Sequence, residues 1–189
     1  LIPLYYLGFK FKNKGEFVMS KIGFIGLGIM GKPMSKNLLK AGYQLVVCDV
    51  VKAAVDEVVS AGANAADTPK AVAEQCPIII TMLPNSPQVK QVVLGENGII
   101  EGAKKGAVVI DMSSIAPLVS REIAQKLTER EIDMLDAPVS GGEPKAIDGT
   151  LSVMVGGKQA VFEQCYPVMK AVAGSVVLTY LRQSRRSWR

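Results

Sequence analysis

The chain has 189 residues, 49% of them hydrophobic, 21% charged and 6% aromatic, with 18 glycines and 10 prolines. That is enough for one domain with a sizeable core, and the balance excludes disordered and collagen-like chains. Histidine is absent, which removes Ser-His-Asp hydrolysis, Cys-His proteolysis, His-ligated zinc and any mechanism with a histidine acid. The formal charge of +5 sits at the ends: residues 1–20 hold three lysines against one glutamate, and the last eight residues hold four arginines. The nearly neutral body gives no basis for a nucleic-acid partner.

The opening run LIPLYYLGF is apolar for nine residues before Lys10, too short for a membrane span and without the basic start of a signal peptide. Lys14-Gly15-Glu16 can be encoded by a ribosome-binding AGGAG ahead of the Met19 codon, so residues 1–18 are expected to be leader without structure. From Met19 the chain alternates short β-branched runs with helical patterns, the signature of βαβ units and a parallel sheet. Strands are expected at Lys21–Gly26, Gln44–Asp49, near Asn64, Pro77–Thr81, Ala107–Asp111, Ile132–Asp136, Leu151–Val155 and Ser175–Leu178. Helices fit between them, with Thr68-Pro69 and Ser86-Pro87 as starts and Gly42 and Gly62 as stops. The domain is expected to span 19–178, followed by a basic tail, 179–189, that reads either as an out-of-frame ending or as a solvated segment. Cys48, Cys76 and Cys165 lack CxxC spacing, which points to a reducing, cytoplasmic setting.

Strand KIGFIG runs into Gly26-Leu27-Gly28-Ile29-Met30-Gly31 and then a helical pattern. In a dinucleotide site the first glycine permits the tight turn, the second admits the pyrophosphate, and the third lets helix pack on strand. Asp49 ends the next strand at the spacing of a ribose-binding acid. A carboxylate there repels a 2′-phosphate, so NAD is favoured; Lys52 leaves NADP tolerable, and Asp49 as a simple helix cap is the plainer reading. The loops Thr81-Met82-Leu83-Pro84-Asn85 and Asp111-Met112-Ser113-Ser114 end parallel strands, where ligands of open α/β sheets bind. Ser140-Gly141-Gly142 is either a flexible loop or a turn whose hydroxyl and N–H groups receive a small carboxylate.

The segments FIGLGIMGKPMSKNLLKAG, TMLPNSP, GENGIIEGAK, IDMSSIAP and DAPVSGGEPKAIDGTLSVMVGG together resemble the β-hydroxyacid dehydrogenase family from Met19 to about Val177. The resemblance implies a Rossmann-type, doubly wound, mostly parallel α/β sheet. An all-helical C-terminal domain, through which family members oligomerise, would be missing here. It implies hydride transfer between nicotinamide and a carbon β to a carboxylate. Carried over by position, Gly26, Leu27, Gly28, Ile29, Met30, Gly31 and Asp49 hold the adenosine and pyrophosphate side. Leu83, Pro84 and Ser114 line the cofactor, and Ser140, Gly141 and Gly142 hold the substrate carboxylate. The family's proton donor is a lysine in a G-x-x-x-K-x-x-N helix. Its place falls near Ser187, Trp188 and Arg189, so the chain is expected to bind cofactor and to lack its own acid. Two readings from other classes stand beside this one: a free-standing NAD-binding redox sensor, and an S-adenosylmethionine methyltransferase, which would have no use for the Ser-Gly-Gly loop.

Overall fold

The computed structural model describes residues 9–12, 16–19 and 21–179. Phe9–Lys12 (β1) and Glu16–Met19 (β2) pair antiparallel as a two-stranded sheet of their own, where the sequence reading expects no element. The body then alternates as expected. Lys21–Ile25 (β3), Gly31–Lys40 (α1), Gln44–Cys48 (β4), Lys52–Ser60 (α2) and Asn64–Ala65 (β5) form its first half. Pro69–Gln75 (α3), Ile78–Thr81 (β6), Ser86–Leu94 (α4), Ile99–Gly102 (α5), Val108–Asp111 (β7), Pro117–Thr128 (α6) and Asp133–Asp136 (β8) form the second.

The six strands lie in the order β5-β4-β3-β6-β7-β8, every neighbouring pair parallel. This is the doubly wound Rossmann order, which the sequence reading anticipates. Alternation along each strand divides the core into two layers. Ile22 and Phe24, Leu45 and Val47, Ile78 and Ile80, and Val108 and Ile110 enter one layer with Met34 and Leu38 of α1. Ile25, Val46, Ile79 and Val109 enter the other, against Val72 of α3, Val89 and Val93 of α4 and Ile123 of α6. Both faces are covered, so the strands read as continuous apolar runs.

Local signals explain the helix starts. Thr68 caps α3, its Oγ1 accepting from the Ala71 N–H at 3.1 Å, with Pro69 in the first turn. The cap of α4 is Asn85 and not Ser86: Asn85 Oδ1 accepts from the Gln88 N–H, while Ser86 Oγ accepts from the Ala116 N–H at 3.0 Å and ties α4 to the loop before α6.

The remaining strands depart from the single sheet expected. Val139–Ser140 (β9), Leu151–Val155 (β10) and Ala173–Leu178 (β11) form a separate mixed sheet, with β10 parallel to β11 and antiparallel to β9. Gly142–Asp148 (α7) and Gln159–Lys170 (α8) connect them. A bridge between Asp136 and Gly156 joins this sheet to the end of β8. The sequence LSVMV carries the reason: Leu151, Val153 and Val155 are buried while Ser152 and Met154 are not, so β10 has one open face.

Candidate cofactor site

At β3 and β6 the strand order reverses, and a crevice opens beyond their carboxyl ends. The first glycine turn closes tightly there: the Gly26 N–H donates to the Cys48 carbonyl at 3.1 Å and the Met82 N–H to the Ile25 carbonyl at 2.9 Å. Gly26 has φ 97°, and a Cβ on it would collide with the Met82 carbonyl; one on Gly31 would collide with the Gly26 carbonyl. Among the described residues, nothing lies within 4 Å of a Cβ built on Gly28. The three glycines therefore have two different causes, close packing at 26 and 31 and an open cradle at 28.

A cavity of about 710 Å³ occupies the crevice, within the ~300–1,000 Å³ usual for ligand sites. Gly26, Gly28, Ile29, Met30, Gly31, Asp49, Leu83 and Pro84 line it, together with Met82, Val50, Val51 and Asp67. Leu27 is buried, and its contribution is a backbone N–H donated to Asp49 Oδ2 at 2.5 Å; Asp49 Oδ1 accepts from the Val51 N–H at 2.7 Å. Asp49 is not the cap of α2, which is Val51 without a side-chain cap bond; the carboxylate holds the residue before the helix instead. At α1, no side chain among the described residues caps the N-terminus and no acid lies in its first turn, which leaves N–H groups and dipole to an anion. Cys48 forms part of the wall, its thiol raised by burial and by Asp49 and Asp67.

Sequence reasoning missed what braces the Leu83 wall. The Leu83 N–H donates to Ser113 Oγ at 2.9 Å. Asp111, wholly buried, accepts through Oδ1 from Thr81 Oγ1 at 2.9 Å and from the Ser113 N–H at 3.1 Å, and its Oδ2 has no hydrogen-bond partner among the described residues. Burial pushes its carboxyl above the ordinary range; the Ser113 and Thr81 bonds oppose this, and Asp136 adds to it. The only hint in the sequence was a strand ending in aspartate followed by two serines.

Ser114, Ser140, Gly141 and Gly142 are exposed and lie outside the cavity wall. Ser140 belongs to β9, and Gly141 and Gly142, with φ 139° and 67°, lead into α7. The positions around Ser187, Trp188 and Arg189 lie outside the described residues, as does the rest of the tail beyond residue 179.

The open cradle at Gly28, the uncapped helix and the carboxylate ending β4 fit a nicotinamide dinucleotide. A family described as the NAD binding domain of 6-phosphogluconate dehydrogenase matches residues 21–180. The chain belongs to this family. Its place among the β-hydroxyacid dehydrogenases, indicated by the sequence motifs, is borne out. The 2-hydroxy-3-oxopropionate reductase of Escherichia coli (strain K12) is 48% identical over 84% of this chain and 54% of its own length. A Mycobacterium tuberculosis 3-hydroxyisobutyrate dehydrogenase solved with L-serine superposes with TM-score 0.80 at 31% identity, covering 85% of this chain and 54% of that one. Psf3 in complex with NADP+ and 2-OPP superposes with TM-score 0.81 at 25% identity, over 85% of this chain and 57% of its own. The chain thus spans about half the length of these relatives. NAD is the cofactor of this domain, and NADP the alternative within the family. Among the described residues, no helix is long and apolar enough to cross a membrane.

Proposed function

We propose that the protein serves an NAD-dependent reductase of small 3-oxo carboxylates, converting tartronate semialdehyde to glycerate. The observation that carries the cofactor half of this reading is the cavity wall itself: among the described residues, Asp49 and Asp67 are the charged side chains on it, and no lysine or arginine joins them. Two ribose hydroxyls suit Asp49, and a 2′-phosphate does not. The substrate half rests on likeness. 2-Hydroxy-3-oxopropionate, 3-hydroxyisobutyrate and L-serine, named for the relatives, are all carboxylates with an oxygen or hydroxyl on C3.

When bound, the nicotinamide group supplies the hydride. The chain's own residues hold and orient. Gly28 and the start of α1 receive the pyrophosphate, Asp49 takes the ribose, and Leu83 and Pro84, braced by Ser113, form an apolar wall that keeps water from one face of the cleft. Ser114, exposed beyond that wall, is assigned to the cofactor by the resemblance alone. Ser140 with the N–H groups of Gly141 and Gly142 takes the substrate carboxylate; their left-handed φ values present backbone rather than side chain. By resemblance, the proton donor is a lysine. Cys48, Cys76 and Cys165, all free and buried, accord with the reducing cytoplasmic setting.

Fluorescence titration of the chain with NADH tests the first half: saturable binding supports it, and none overturns it. For the substrate, loss of NADH absorbance is followed with tartronate semialdehyde and with the branched aldehyde of 3-hydroxyisobutyrate, on the protein as its host makes it. Faster turnover of the branched aldehyde would move the assignment to that substrate.

A further inference from the structure

A second cavity of about 600 Å³ adjoins the first and shares Gly28, Ile29, Asp49 and Val51 with it. Its wall is rich in charge: Lys32, Lys36 and Lys40 of α1 line it with Glu57 of α2 and Glu143 of α7. Lys32 and Lys36 stand one turn apart and converge on one carboxylate. Lys32 Nζ lies 2.9 Å from Glu57 Oε2, and Lys36 Nζ 2.7 Å from Glu57 Oε1. Each oxygen of Glu57 holds one lysine, so the pair is turned toward α2.

Asp49 stands on the boundary of the two cavities. A ribose that meets Asp49 therefore has its 2′ edge at that boundary, and of the three lysines on the adjoining wall Glu57 engages two, Lys32 and Lys36. Counted over that wall, Lys32, Lys36 and Lys40 are balanced by Asp49, Glu57 and Glu143, and it carries no net charge. A phosphomonoester there would bring roughly −1.5 to −2 charge to a surface with no net attraction for it.

We propose that Glu57 is a specificity-determining residue for the cofactor. By engaging Lys32 and Lys36 it withholds them from the ribose 2′ edge, and the second cavity is the place where a 2′-phosphate would be received once they were released. This rests on reading the first cavity as the dinucleotide cleft. Two further features support it. The two lysines hold the Glu57 carboxyl down to about 2, so it stays ionised and its grip does not relax at any ordinary pH. All three side chains are partly exposed, with 35%, 36% and 45% of their surface open for Lys32, Lys36 and Glu57, so the lysines are free to swing on long stems. Exposed ion pairs also contribute little to stability, which makes Glu57 replaceable.

The test compares NADH and NADPH affinities, by fluorescence titration, for the unsubstituted chain, Glu57→Gln, Glu57→Ser, and Glu57→Gln combined with Lys32→Met and Lys36→Met. The expected result is that both single replacements shift the affinity ratio toward NADPH by about tenfold. The shift should shrink as salt screens the freed lysines, and vanish in the triple variant. A ratio that stays within about twofold in both folded single variants, checked by thermal melting, overturns the proposal. So does a shift that survives loss of both lysines. Failure of the unsubstituted chain to bind NADH at all would instead overturn the cleft reading on which the proposal rests.

Discussion

The Leu27 N–H donates to Asp49 Oδ2 across 22 positions of sequence, so the carboxylate that ends β4 also holds the first glycine turn in place. Asp49 therefore has a stabilising role independent of any ligand. Asp49→Ala leaves the Leu27 and Val51 N–H groups without their acceptor and is expected to cost ~1–3 kcal/mol in urea unfolding. Asp49→Ser should narrow the gap between NADH and NADPH and lose stability together. A variant that changes preference with no loss of stability would show that the clamp contributes nothing.

Val50 is fully exposed beside Asp49 on the wall of the cleft. An arginine at this position brings a bidentate phosphate partner to the ribose edge without disturbing packing. Val50→Arg should raise NADPH affinity relative to NADH by about tenfold, with an unchanged melting temperature. Unaltered preference would place the 2′ edge of the ribose away from residue 50.

The two kinds of glycine separate under substitution. Gly31→Ala sets a Cβ against the Gly26 carbonyl, backbone against backbone, and is expected to cost more than about 2 kcal/mol of stability. Gly28→Ala meets nothing, and its φ is not left-handed, so thermal melting should be unaltered while NADH binding weakens by about tenfold or more. Equal stability loss in both variants would argue that residue 28 is a structural glycine.

Asp111 predicts a pH dependence of stability. Its carboxyl is raised in the fold by burial, whereas in the unfolded chain it titrates near ~3.9. Between those values the native state holds the proton that the unfolded state has lost, so stability falls as pH rises through the window and levels off above the native value. Asp111→Asn keeps an oxygen for Thr81 and Ser113 and has no proton to lose. The stability of the unsubstituted chain minus that of Asp111→Asn, from urea unfolding at a series of pH values, should decline upward from the ordinary carboxylate range. Parallel or diverging curves in the other direction would refute the raised carboxyl.

What the sequence alone determined is the run from Lys21 to Asp49, together with the order and direction of the strands through Asp136. These signals are local: a glycine spacing within one turn, an acid at the end of the adjacent strand, and apolar runs that only a sheet covered on both faces requires. Thr68-Pro69 belongs with them, because a cap acts within three residues. Tertiary structure decided the rest. Asp111 meets Thr81, and Ser113 meets the Leu83 N–H, across 30 positions, and no spacing rule marks Ser113 rather than Ser114 as the brace. The departure of β10 and β11 from the main sheet turns on the Asp136–Gly156 bridge and on pairing with β9, two residues long and too short to carry a strand pattern. Lys32, Lys36 and Glu57 read in the sequence as ordinary helix-surface charges. Only the packing of α1 beside α2 turns them into one cluster, because side chains 21 and 25 positions apart meet through the fold and not through helical periodicity.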